Sequence, residues 1–399
     1  MSLTRRRLIV SAGAAASVAA LPPRAEAAEE ASALPPPPPA TEFRSRQEKL
    51  RAEAKKRKLD ALLVTPSTNL AYAANLAISR SERLTALLLF AEGPALLVTP
   101  SFEEGNHRKN AVVDDVRTWK EDEDPMTVVA KAVEGRAAIG IEGSTSYETV
   151  TRLAAVFPGR LENATEIFDT LRRVKSPEER ALIRAAGDRT TRAITATHRR
   201  IRKGMSEHQV SEILEEEFRR LGVEGGGLVQ FGPSSAFPHG APEDRTLTRG
   251  DVVLIDAGCK VRGYSSDVTR TVAFGAASDE IRKVYDTVER AQSAGIAALR
   301  SGAIPEDCDR AARKVIEDAG YGEFFTHRLG HGLGMDGHES PYLVRGNKTA
   351  LVAGNVVTVE PGIYMPGKFG VRIEDDYAVR DGEPEGLSSR SLELQVLKG

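Results

Sequence analysis

The chain has 399 residues, more than one compact core usually holds, so two domains behind a leader are expected. A formal net charge of −2 without any long basic run argues against a nucleic-acid partner. Only two cysteines occur, Cys259 and Cys308, which excludes a disulfide framework or a cysteine-based zinc site within one chain.

Residues 1–40 read as an address label and a spacer. Thr4-Arg5-Arg6-Arg7 precedes a small-residue apolar run from Val10 to Leu21, and Ala25-Glu26-Ala27 has the small-x-small spacing of a cleavage site. Paired arginines before a mildly apolar stretch predict twin-arginine export to the periplasm. A leader that does not function would leave the protein cytoplasmic. The run is too short and too alanine-rich for a stable membrane span. Pro35 to Pro39 predict a stiff polyproline spacer.

Residues 41–168 alternate helical and strand-like patterns. Glu42 to Lys58 is charged and helical. Ala61-Leu62-Leu63-Val64, Ala86-Leu87-Leu88-Leu89-Phe90, Ala95-Leu96-Leu97-Val98 and Ala137-Ala138-Ile139-Gly140-Ile141 are short apolar runs with strand character. A small α/β domain without catalytic groups is predicted. Its Asn69, Tyr72, Arg80 and Arg83 read as solvated loop residues.

Residues 169–399 form the second expected domain. Ser176-Pro177-Glu178-Glu179 is a capping box with proline at the first helical position, and the helix is predicted to stop at Gly204. A second helix is capped at Ser206 and runs to Gly222, with a solvated charged face. Gly302, Pro305-Glu306 and a stop at Gly320 repeat this layout faintly, suggesting two similar halves that face each other.

Between and after these helices lie five candidate metal ligands: Asp256, Asp267, His331, Glu360 and Glu374. Four carboxylates and one imidazole are mainly hard oxygen donors. They suit two divalent cations sharing carboxylates better than one tetrahedral zinc, with manganese, zinc and cobalt all compatible. The run Val252-Val253-Leu254-Ile255 predicts a buried strand delivering Asp256 at its end. After a turn at Gly258 to Gly263, alternation puts Asp267, Thr269 and Thr271 on one face. The same period puts Arg372 beside Glu374, where its guanidinium can orient ligand carboxylates. Glu360 precedes the turn pair Pro361-Gly362, and Gly330 and Gly332 let backbone approach His331 closely.

Five blocks in order carry a resemblance. They are Asp256-Ala257-Gly258, Gly263-Tyr264-Ser265-Ser266-Asp267-Val268-Thr269-Arg270-Thr271, Gly330-His331-Gly332-Leu333-Gly334, Val359-Glu360-Pro361-Gly362-Ile363-Tyr364 and Arg372-Ile373-Glu374-Asp375. Together they are similar to the pita-bread metallopeptidases, which include Xaa-Pro dipeptidase (prolidase), aminopeptidase P and methionine aminopeptidase. Residues 42–165 resemble the creatinase/prolidase-type N-terminal domain. The implied fold is an α/β N-terminal domain joined to an α+β pita-bread catalytic domain, with a homodimer as the expected assembly.

The resemblance makes Asp256 a ligand of one metal, Asp267 and Glu374 bridging ligands, and His331 and Glu360 the completion of the other metal. It implies that His239, His327 and His338 line the substrate site and stabilise the intermediate or the leaving imino group. Tyr364 and Arg372 are expected to support the ligands from behind. His107, His198 and His208 match nothing and read as structural. Two divalent cations at such a site are expected to supply hydroxide near neutral pH and to clamp the tetrahedral intermediate, with Glu360 as proton shuttle. Without them the four acids should repel one another.

Within the family, the N-terminal domain argues against methionine aminopeptidase. All five ligand positions are filled, which argues against a metal-free creatinase-like hydrolase or a binding module. Gly330-His331 and His338-Glu339 are closer to prolidase than to classical bacterial aminopeptidase P. The expected substrate is therefore a proline-containing peptide, an Xaa-Pro dipeptide first and a longer Xaa-Pro peptide as the alternative.

Overall fold

A computed structural model describes residues 34–399. Residues 1–33, which contain the proposed export signal, lie outside the described residues. A helix over Ala40–Lys56 opens the described fold. It leads into a six-stranded mixed sheet of β1 (Ala61–Val64), β2 (Ala86–Phe90), β3 (Ala95–Pro100), β4 (Asp115–Trp119), β5 (Ala138–Ile141) and β6 (Arg160–Asn163), in the order β4-β3-β2-β1-β5-β6. Apolar residues occupy both faces of the central strands because helices cover both sides. Leu62 and Val64 of β1 join one core with Leu50 and Phe168, whereas Ala61 and Leu63 join the other with Val129 and Leu153.

The boundary expected at 168/169 falls inside the helix Thr165–Arg172, which packs Ile167 and Phe168 on the N-terminal core. The following helix, Pro177–Arg200, has the predicted capping box: Ser176 Oγ accepts from Glu179 N at 3.2 Å, and Glu179 Oε2 accepts from Ser176 N at 2.7 Å. It ends four residues before Gly204, because Ile201 turns extended and buries its side chain in the core.

The catalytic domain is a pita-bread of two helix pairs and two main sheets. Helices Pro177–Arg200 and Glu207–Arg220 cover the sheet of β7 (Gly225–Phe231), β8 (Val252–Val261), β9 (Tyr264–Ser265), β10 (Val268–Phe274) and the short β18 (Val396–Leu397). Helices Asp279–Ala298 and Pro305–Asp318 pack on the second sheet. That sheet has the order β12-β11-β13-β16-β17, formed by Glu339–Leu343, Gly330–Gly332, Val356–Val359, Asp375–Ala378 and Glu385–Gly386 respectively. A hairpin of β14 (Gly362–Met365) and β15 (Phe369–Arg372) completes the domain. The matched order of helix pair then sheet is the repeat faintly visible in the sequence.

Two expectations about the first half need correction. β8 runs through to Val261, so Asp256 sits mid-strand and not at its end. The reversal lies at Arg262-Gly263, with φ of 51° and 88°, and not at Gly258. Gly258 serves close approach instead: a Cβ there would lie 2.3 Å from the Ser266 carbonyl oxygen.

Asn69 and Tyr72, read as solvated, are buried. Asn69 donates to Glu142 Oε1 at 2.8 Å and accepts from Arg172 at 2.9 Å. The Tyr72 ring lies 4.4 Å below the Arg46 guanidinium. Through Arg46, Tyr72 borders the contact between domains, where Arg46 donates to Glu179 at 3.1 Å and to the Tyr264 hydroxyl at 2.8 Å. Arg80 and Arg83 are exposed, as expected. Glu217, on the helix face read as solvated, is buried and paired with Arg200 at 2.6 Å.

Candidate active site

Strand alternation decides which side chains reach the site. Val253, Ile255, Ala257 and Cys259 of β8 point into the helix-covered core, so Asp256 points the other way. Asp256 is opposite Thr269 across the β8/β10 ladder, and Thr269 Oγ1 donates to Glu374 Oε2 at 2.6 Å. Glu374 sits between β15 and β16. Its backbone is held by Arg270, which donates to the Glu374 carbonyl at 2.7 Å and to buried Asp375 at 2.6 Å.

His331 is the middle residue of β11, squeezed between two neighbouring strands. A Cβ on Gly330 would lie 2.0 Å from the Thr358 carbonyl oxygen, and one on Gly332 would lie 2.4 Å from that of Ser340. Only glycine fits on either side. His331 Nδ1 lies 3.0 Å from the Gly332 carbonyl oxygen, so that nitrogen carries the proton and donates. Nε2 then presents a lone pair to Glu360 Oε1 at 3.4 Å and Asp267 Oδ2 at 3.7 Å. Burial pushes this imidazole down to about 3, which keeps it neutral.

Nine of the ten predicted site residues line one cavity of 420 Å³: His239, Asp256, Asp267, His327, His331, His338, Glu360, Arg372 and Glu374. The tenth, Tyr364, stands behind it, with its hydroxyl 2.9 Å from Arg372 Nη1. The His338 ring lies 3.8 Å from that of His331, centroid to centroid. Burial, with Arg328 nearby, lowers the His338 pKa.

A cation fits this donor set. Ligating atoms of Asp267, His331 and Glu374 lie within 4.8 Å of one another. When ionised together, the two carboxylates repel each other unless positive charge sits among them. Burial, followed by the neighbouring carboxylates, raises Asp267 and Glu374 well above the ordinary range. Burial also pushes Glu360 up to about 7. One oxygen of Asp256 accepts from Arg372 Nη2, and Glu360 Oε1 accepts from Thr358 Oγ1 at 3.2 Å.

Residues 181–381 match Metallopeptidase family M24, and residues 46–174 match the Creatinase/Prolidase N-terminal domain. An uncharacterized peptidase of Staphylococcus saprophyticus, SSP1059, is 34% identical over 348 residues, covering 86% of this chain and 98% of that protein. The chain belongs to metallopeptidase family M24. Among solved structures of the family, dipeptidase PepE from Mycobacterium ulcerans superposes with a TM-score of 0.85 at 34% identity, covering 91% of this chain and 100% of that one. The Xaa-Pro dipeptidase from Bacillus anthracis gives 0.83 at 31% identity, covering 89% and 100%. This M24 chain is thus a metallopeptidase, and the fold expected from its motifs is the fold it has.

Several residues that shape the site escape sequence reasoning. Arg328 lines the cavity, and its place between His327 and the His331 block was the available signal. Glu339, beside His338, accepts from Lys175 at 2.6 Å and from Arg172, tying the strand to the start of the catalytic domain. Thr68 Oγ1 donates to Asp336 at 2.5 Å across the same boundary. Nothing local in the sequence marks these partners.

Proposed function

We propose that this M24 metallopeptidase is an Xaa-Pro dipeptidase acting through two divalent metal ions. The observation that carries the reading is the neutral His331 Nε2 facing Asp267 and Glu360 across 3.7 and 3.4 Å, in a cavity that Asp256 and Glu374 also line. Asp256, Asp267, His331, Glu360 and Glu374 would hold the ions; manganese suits the oxygen-rich set, and zinc or cobalt would fit it. When bound, such ions lower the pKa of a shared water and polarise the scissile carbonyl.

The residues of the chain supply the remainder. Glu360 takes the proton of the attacking water and returns it to the leaving proline nitrogen. His338 and His239, lining the cavity, donate to the oxygen on which charge develops. Arg372 is buried and holds Asp256 with one nitrogen and Tyr364 with another, so the acid cannot swing away. A proline leaving group has no N–H, so its pocket selects by shape and needs no backbone acceptor. The cavity of 420 Å³ suits a small peptide.

Two properties extend the proposal. A homodimer is the proposed assembly, to be checked by light scattering of the purified protein. Export through the twin-arginine route to the periplasm is proposed from Arg5-Arg6-Arg7 and the apolar run behind them. Cell fractionation after Arg5→Lys and Arg6→Lys substitution tests it, with retention in the cytoplasm expected. No helix among the described residues is long and apolar enough to cross a membrane.

Substrate length is tested by comparing an Xaa-Pro dipeptide with the same sequence extended by several residues. Preference for the dipeptide is expected. Preference for the longer peptide would make the enzyme an aminopeptidase P.

A further inference from the structure

Of the two arginines lining the cavity, one is fully engaged. Arg372 donates to Thr269 at 3.1 Å, to Tyr364 at 2.9 Å and to Asp256. Arg328 differs. Its guanidinium makes no hydrogen bond or ion pair among the described residues and sits over the Tyr342 ring, 4.5 Å from the centroid.

The backbone around Arg328 is held firmly. His327 Nδ1 donates to the Arg328 carbonyl at 2.7 Å, Arg313 donates to the His327 carbonyl at 2.8 Å, and Asp309 accepts from Leu329 N at 2.9 Å. Tyr342 is fixed in β12, four residues after His338. Contact with the ring holds the guanidinium in place while its N–H donors stay unused, and a guanidinium with a free N–H fork can grip a carboxylate.

A dipeptide brings its own carboxylate into a cavity lined by four acidic side chains. With those acids balanced by the proposed ions, the incoming carboxylate still gives up its water and needs a cation with unused donors to replace it. We propose that Arg328, seated over Tyr342, anchors the free carboxylate of the substrate and so sets the peptide length the site accepts. The inference rests on the dipeptidase reading above. In a longer peptide an uncharged amide falls at this point, and the fork loses its charged partner.

The test compares an Xaa-Pro dipeptide with its C-terminal amide. Wild type should prefer the acid. Arg328→Gln should raise KM for the acid and lower its kcat/KM by about 10- to 100-fold, the amount one or two charge-assisted hydrogen bonds supply. The acid-to-amide preference should shrink with it. Arg328→Lys keeps the charge without the fork and should fall between, and Tyr342→Ala should weaken the preference through the lost ring contact. An acid-to-amide ratio unchanged in Arg328→Gln, or a wild type that cleaves both equally, overturns the proposal. A wild type that hydrolyses neither, with metal bound, instead overturns the Xaa-Pro reading beneath it.

Discussion

The Tyr364 hydroxyl lies 2.8 Å from His327 Nε2. Arg372 donates to the same hydroxyl, so Tyr364 must direct its own proton to Nε2, and His327 accepts there. The other ring nitrogen, Nδ1, then carries the proton and donates to the Arg328 carbonyl. Burial pushes His327 down to about 4, so the ring stays neutral and the tautomer is fixed. One hydroxyl thus couples the arginine that holds Asp256 to the backbone of Arg328.

Tyr364→Phe removes that coupling and leaves a buried acceptor on His327 and a donor on Arg372 without partners. A stability loss of about 1–3 kcal/mol is expected, read by denaturant unfolding. Catalytic efficiency should fall with it while bound metal stays unchanged. Unaltered stability would contradict the assigned tautomer.

Glu360→Ala removes the side chain proposed as both a metal ligand and the proton shuttle. Turnover of Xaa-Pro dipeptides should drop by about 10²–10⁴-fold, with the circular dichroism spectrum preserved. Retained turnover would remove Glu360 from the mechanism.

Arg46→Met strikes the contact between domains. It leaves Glu179 buried beside Tyr264 without its cation, and breaking a buried pair in this way costs about 3–5 kcal/mol. Thermal unfolding should show a lower midpoint. Because Tyr264 lies three residues from Asp267, metal affinity should weaken as well. An unchanged midpoint would show that this contact does not hold the domains.

The proposed ligand residues were legible because each stands in a local pattern that has a physical reason: a β-branched run before Asp256, glycines around His331, a Pro-Gly turn after Glu360. Their fine placement was less so. The turn read over Gly258 to Gly263 is confined to Arg262-Gly263, whereas Gly258 makes room for the Ser266 carbonyl and the strand continues to Val261. Asn69 and Tyr72 read as solvated because their partners lie far along the chain: Asn69 meets Glu142 and Arg172, and Tyr72 meets Arg46. Arg328 was missed for a related reason, since its significance depends on Tyr342 across a strand pair. Side-chain pairing between distant segments leaves no local periodicity to read.

His198 gives a pH dependence with a defined sign. Burial, then the charge of Arg270, depresses it from 6.5 to about 4, and its Nε2 has no hydrogen-bond partner among the described residues. The unfolded chain takes up a proton as pH falls below 6.5, while the folded protein stays neutral there down to about 4. Its contribution is therefore intact above pH 6.5 and is lost between 6.5 and about 4, amounting to about 3 kcal/mol. Denaturant unfolding over this window should show a shallower acid loss in His198→Leu than in wild type. Parallel profiles would place the titration elsewhere.

The central claim is that the acids around His331 work by holding divalent cations. It is tested most directly by following proline release from an Xaa-Pro dipeptide through chelation and reloading. Activity should vanish once the chelator has removed stoichiometric metal, and should return on addition of manganese, zinc or cobalt. Undiminished proline release from protein shown by elemental analysis to be metal-free would contradict the account.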